Sequence, residues 1–159
     1  MVLPAPHRVV LDTNVMVRGL INGQCPSGRI VYACENRRLI PILSKTVMAE
    51  YARILSSPEL HERYPKLEPR RIQTAIERMK YVGDVVKRVA RFEFPRDPKD
   101  APFLALCIAG GASHLVTMDH DMLDLVSGHD DAAKRLRRRM PGLQIVDPET
   151  FVSQHRHLL

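Results

Sequence analysis

Four acidic side chains stand where a reaction centre would need them: Asp12, Glu50, Asp100 and Asp119. Asp12 ends the apolar run Val9-Val10-Leu11, and Asp119 closely follows His114-Leu115-Val116-Thr117. Residues at the carboxyl ends of strands are where open α/β sheets hold ligands. Glu50 borders the helical face formed by Val47, Tyr51, Ile54 and Leu55. Asp100 lies one turn before Leu104 and two before Cys107, above a face that enters the core. Brought together, four carboxylates repel one another unless protons or cations intervene. An all-oxygen ligand set selects a hard ion such as magnesium or manganese. Such an ion binds phosphates and lowers the pKa of a water.

Each acid also has a plain structural reading. Asp12 or Thr13 can cap a helix over Asn14 to Leu20. Glu50 can be a boundary residue whose carboxylate reaches water. Asp97 before Pro98 has the form of a helix cap with proline at the first position, and Asp100 would then favour the helix dipole. Alternatively the helix starts near Ala101 with Asp100 as its cap, because Pro102 biases the preceding residue away from helix. Asp119 can cap the turn Asp121 to Leu125, and Asp121 can be a solvated loop acid.

Strands and helices alternate along the chain. Strands are expected at 8–11, 39–43, 85–89, 114–117 and 143–146. The proline at 41 suits an edge or an irregular strand end, and the strand at 85–89 also suits an edge. Helices are expected at about 27–38, at 45–55 behind the cap Ser44, at 58–63, at 68–81, through about Ala109, at 130–139, and after Asp147-Pro148. Alternation of this kind gives a mostly parallel sheet covered on both faces. No repeat or low-complexity segment divides the 159 residues, so one domain is expected over 1–159.

The totals narrow the partners. A composition 45% hydrophobic is that of a globular chain, and no apolar run is long enough to cross a membrane. Met1 to His7 shows no basic leader, so a cytoplasmic protein is expected. Cys25, Cys34 and Cys107 are odd in number and far apart, which fits neither a disulfide framework nor a zinc site. His155-Arg156-His157 reads as a solvated tail. A net charge of +6 favours polyanions, and the absence of tryptophan argues against a broad base-stacking platform.

Taken in order, four pieces of the chain resemble the PIN-domain family. They are Val10-Leu11-Asp12-Thr13-Asn14-Val15; Ser44 through Glu50-Tyr51 with Leu55; Asp97-Pro98-Lys99-Asp100 with Phe103-Leu104; and Leu115-Val116-Thr117-Met118-Asp119-His120-Asp121. The last strand and Pro148-Glu149-Thr150-Phe151 resemble the family's ending. The likeness spans nearly the whole chain and is strongest to the single-domain, VapC-type toxins of prokaryotic type II toxin–antitoxin pairs. It implies a PIN-like three-layer α/β/α sandwich with a mostly parallel, roughly five-stranded sheet.

It also implies a metal-dependent endoribonuclease. Asp12, Glu50, Asp100 and Asp119 match the acids that hold magnesium or manganese, with Asp97 and Asp121 in reserve. Thr13 and Asn14 match the turn after the first acid, Asn14 tying the site by hydrogen bonds, and Thr117 matches a hydroxyl that supports the last aspartate. Products with a 5′-phosphate and a 3′-hydroxyl are implied, as are a cognate antitoxin and a homodimer. Arg135, Arg137, Arg138 and Arg139 either track the RNA backbone or form a solvated helix face.

The chain departs from the family at two positions. Met118 stands where glycine is frequent, and Arg18 replaces a small polar residue, either bringing a cation to the phosphate or facing water. Two other readings compete: a catalytically weak PIN-like scaffold that binds RNA or protein, and a metal-dependent phosphatase or phospho-acceptor domain. Asn14 speaks against the last, which usually needs a second aspartate two residues after the first.

Overall fold

Val9, Val10 and Leu11 are each 1% exposed or less, so both faces of their strand are covered. That strand, β1 (Arg8–Leu11), is the middle of the sheet in the computed structural model, which describes residues 6–159. Of the stretch from Met1 to His7 read as having no basic leader, residues 1–5 lie outside the described residues. Parallel neighbours flank β1: β2 (Ile40–Leu43) on one side and β4 (His114–Val116) on the other. β3 (Asp84–Val85) pairs with β2, and β5 (Gln144–Val146) with β4. The order β3-β2-β1-β4-β5 is parallel throughout, so the expected α/β architecture is the one observed.

Helices make the crossovers that parallel strands require. α1 (Thr13–Ile21) and α2 (Pro26–Glu35) join β1 to β2. α3 (Lys45–Leu55), α4 (Pro58–Arg63) and α5 (Pro69–Val82) lead to β3. α6 (Ala101–Gly110) precedes β4, while α7 (His120–Leu123) and α8 (Asp131–Arg139) precede β5. α9 (Pro148–Gln154) follows β5. Ser44 caps α3 as expected, its hydroxyl accepting from Val47 N–H at 3.1 Å. Gly111, at φ 61°, ends α6 in the left-handed conformation that glycine adopts without strain. None of the described helices is long and apolar enough to cross a membrane.

Two strand expectations need correcting. The strand over 85–89 is only Asp84–Val85, because Val86 makes one further bond, to Leu43 O at 2.7 Å, and the chain then leaves the sheet. Pro41 lies in an interior strand, not at an edge. It pairs with Val9, while β3 joins β2 only from Ile42 onward. Ile40 N–H faces His7 O, so alternation turns the N–H that Pro41 lacks toward the side where β3 has not yet begun.

The amino ends of β1 and β4 hold a group of rings. His7, His114 and His155 lie with centroids 4.8–5.1 Å apart, edge to face, and Phe151 stacks on His155 at 4.3 Å. The reading of His155 as part of a solvated tail is therefore overturned. It sits one helical turn after Phe151, is 8% exposed, and its Nδ1 meets Phe151 O at 3.0 Å. His157 is exposed.

Candidate active site

β1 and β4 are parallel neighbours, so the residues that follow them emerge at one end of the sheet. The chain passes from β1 to β2 and β3 on one side, then returns to β4 and β5 on the other. The crevice between β1 and β4 is thus the topological switch point, where open α/β sheets bind ligands. Asp12 N–H donates to Val116 O at 3.0 Å, fixing the two strand ends together. From the other side the buried Tyr51 of α3 donates its hydroxyl to Leu11 O.

Thr117, fully buried, links the two aspartates. Its hydroxyl donates to Asp12 Oδ2 at 2.8 Å and accepts from Asp119 N–H at 3.0 Å. Asp12 Oδ1 accepts from Thr13 N–H at 2.7 Å, and Asp119 Oδ1 from Asp121 N–H at 2.8 Å. Both aspartates therefore cap helices, as the plain reading allowed, and both stand at the crevice. Capping uses a lone pair without consuming the carboxylate.

Asp100 behaves otherwise. α6 starts at Ala101, and Asp100 occupies the cap position without any side-chain capping bond. Asp97 forms a turn, its Oδ1 accepting from Lys99 N–H at 3.1 Å and its carbonyl from Asp100 N–H at 3.1 Å. That turn brings Asp97, Asp100 and Asp119 together, one carboxylate oxygen from each lying within 4.8 Å of the others. Asp100 is 7% exposed, and its Oδ2 is buried with no hydrogen-bond partner.

The electrostatics follow from that crowding. Burial, then the charge of Asp119 and a proton shared with it, then Asp97 and Asp12, push the Asp100 carboxyl up to about 8. Burial also raises Asp12, and the charges of Asp119 and Asp97 add to it; the bonds from Thr117 and Thr13 work in the opposite sense. At neutral pH the cluster holds a proton that a cation could replace.

The other sequence candidates are placed less centrally. Glu50 is bound by Arg53 of the same helix, through contacts of 2.8 and 3.0 Å. That hydrogen-bonded pairing holds its carboxyl below the usual range, and Glu50 is not among the three converging acids. Asp121 pairs with Arg96 at 2.7 Å, and Arg96 also reaches Asp124 at 3.0 Å, tying the loop of Asp97 to α7. The Thr13 hydroxyl is buried without a partner.

Asn14 does not tie the site. It is exposed, and its side chain makes no hydrogen bond among the described residues, because the second position of α1 faces outward between buried Thr13 and Val15. Thr117 makes the connection instead. On α8, Arg135 donates to Glu93 O and lies over the Phe92 ring, and Arg137 donates to Leu125 O. Arg138 and Arg139 are exposed. Cys34 and Cys107 are buried free thiols, whereas Cys25 Sγ accepts from Gly28 N–H at the start of α2.

The residues that build this crevice fall within a stretch matched by a known family model, the PIN domain, over residues 8–121, well over half of the chain. The chain belongs to the PIN-domain family. No curated protein matches it as a relative. The matched stretch of this PIN domain runs from β1 to the first turn of α7 and contains Asp12, Glu50, Asp97, Asp100, Asp119 and Asp121.

Proposed function

We propose that this PIN domain is a metal-dependent endoribonuclease, the toxin of a type II toxin–antitoxin pair. The observation that carries the reading is the convergence of Asp97, Asp100 and Asp119 at the switch-point crevice, with a buried, unpartnered Asp100 Oδ2 among them. An all-oxygen set with an orphaned carboxylate atom fits a hard divalent cation. Asp97, Asp100 and Asp119 would hold magnesium or manganese, and Asp12 would add its charge beside them. Bound there, such an ion would polarise a scissile phosphate and acidify a water.

The chain's own residues do the rest. Thr117 fixes Asp12 and Asp119 relative to one another. With a cation in place Asp100 would be held ionised, its Oδ2 facing the cation, and another carboxylate of the cluster would take the proton of the attacking water. The new bond forms between water oxygen and phosphorus, the bond from phosphorus to the 3′-oxygen breaks, and that oxygen is protonated from solvent. The products carry a 5′-phosphate and a 3′-hydroxyl. A net charge of +6 supports an anionic substrate. A small antitoxin would silence the site by covering the acids, and a homodimer is expected with it.

One observation favours the second reading, a catalytically weak scaffold that binds RNA or protein: Glu50 is engaged by Arg53 and leaves the cluster with fewer acids. Incubation of the full chain with structured RNAs in manganese, magnesium or chelator, beside Asp12→Asn, separates the two. Cleavage is expected with metal and wild type only. Cleavage that persists in chelator or in the variant overturns the metal-dependent nuclease reading, and retention of RNA without cleavage in metal favours the scaffold.

A further inference from the structure

A cavity of about 630 Å³ opens at the chain neighbours of Asp119, which does not itself line it. Met118 and His120, which flank Asp119 in the chain, line it, as do Arg18 of α1, Asn22, Tyr64 and Asp147 at the end of β5. It therefore lies at the same end of the sheet as the acids. Its volume is within the roughly 300–1,000 Å³ range of small-ligand sites. Arg18 and Met118, the two departures from the family pattern, meet here: Arg18 Nη1 lies 3.3 Å from Met118 Sδ. A thioether is a weak acceptor. Arg18 is exposed and makes no ion pair among the described residues, so its fork of donors is left open to an anion.

We propose that this cavity holds the ribonucleotide next to the scissile phosphate, with Arg18 on its phosphate and Asp147 accepting a hydrogen bond from its sugar or base. The proposal rests on the nuclease reading above. A guanidinium fits phosphate oxygens two at a time. Asp147 Oδ1 accepts from Thr150 N–H at 2.7 Å, which leaves its other oxygen available. The exposed carboxylate of Glu149 also lines the cavity. These acids repel a phosphate but accept from a 2′-hydroxyl or a base amine, so the nucleotide is oriented with its phosphate toward Arg18. The 2′-hydroxyl is a donor that DNA lacks. The Tyr64 ring also lines the cavity, with the Arg63 guanidinium 6.0 Å from its centroid, and a contact with one base needs no broad aromatic platform. An acidic peptide would share Arg18 but would meet Asp147 and Glu149 with like charge.

The test is binding of a fluorescent single-stranded ribo-octanucleotide to the full chain in chelator, read by anisotropy across a salt series. Arg18→Ala is expected to weaken binding about tenfold and to lower the salt slope by about 0.7. Arg18→Lys restores part of the affinity, and Arg88→Ala, which removes the same charge from an exposed position beyond β3, binds as wild type. The deoxy octanucleotide binds more weakly than the ribo form. With methyl-labelled methionine, the Met118 resonance, assigned through Met118→Leu, shifts on addition of RNA. Wild-type binding by Arg18→Ala, RNA binding with Met118 unmoved, or equal competition by poly-glutamate each overturns the proposal. Cleavage of the same RNA in manganese is scored separately. Arg18-dependent binding without cleavage leaves the cavity an RNA site and fells the nuclease reading; cleavage with Arg18-independent binding does the reverse.

Discussion

At the carboxyl ends of β1 and β4, Asp97, Asp100 and Asp119 bring oxygens within 4.8 Å of one another. At the amino ends of the same strands, His7, His114 and His155 meet as rings, edge to face. Both groups are crowded and partly buried, yet burial weighs differently on the two kinds of side chain. The histidines fill space as aromatic bodies, and Nδ1 of His114 and of His155 are taken by Ser113 and by Phe151 O. Burial leaves one atom unpartnered at each end, His114 Nε2 and Asp100 Oδ2, but the aspartates have no apolar body to pack. A neutral imidazole tolerates burial, whereas an ionised carboxylate does so only beside a proton or a cation. The acidic end therefore calls for a cation, whereas neutral rings can stay buried as they are.

The largest test of this contrast is at Thr117. Thr117→Val keeps the shape but removes the hydroxyl that joins Asp12 Oδ2 to Asp119 N–H. Groups that orient a metal's ligands typically cost 10–100-fold when lost. Activity on RNA in manganese should fall by about that factor, with a parallel loss of metal affinity by calorimetry. An unchanged rate would show that the two strand-end aspartates do not act as a unit.

Next is the acid cluster's cost in the metal-free protein. The folded Asp100 titrates near 8 against an ordinary value of 3.8. Between those pH values the folded state binds more protons than the unfolded one, so this group's contribution to stability falls as pH rises from about 4 to 8. Asp100→Asn removes that liability. In chelator at pH 8 it should raise the melting temperature by about 3–6 °C, while abolishing stabilisation by added manganese. A lower melting temperature at pH 8 would mean that the carboxylate is already neutralised by the fold.

The histidine end carries the opposite sign. Burial first, then His155 and His7, pull His114 down to about 4 from 6.5. The unfolded state binds more protons between those values, so stability is lost as pH falls below about 6.5. His114→Phe should change stability little at pH 8 and should reduce the loss between pH 8 and pH 5 by about 1–2 kcal/mol, measured by urea titration. An undiminished acid loss would move its origin away from this ring.

The two ends were not equally legible in the sequence. Asp12 and Asp119 stand out because an apolar run breaks at a carboxylate, a local signal that the parallel sheet then turns into a shared site. Asp97 and Asp100 were separable only by where α6 begins, and two prolines within five residues left both starts open. The histidine group was hidden, since it joins residues 7, 114 and 155 across the whole chain. Only the Phe151–His155 spacing of one turn hinted at it. Pro41 misled because its tolerance depends on where β3 starts, which is a matter of register and not of composition.

Glu50 had a readable signal: Arg53 lies three residues on, within reach on the same helix face. The pair is substantially exposed, and exposed pairs hold their partners weakly. Arg53→Ala should therefore release Glu50 without unfolding the chain. If Glu50 belongs with the acids, release lets it turn toward the crevice, and manganese affinity should tighten by about two- to threefold, with a modest gain in cleavage. If Glu50 is only a boundary residue, calorimetry will show no change, and Glu50→Gln will cleave RNA like wild type. This is the smallest of the effects, and it decides whether the cation is held by loop and strand-end aspartates alone or also by an acid from α3.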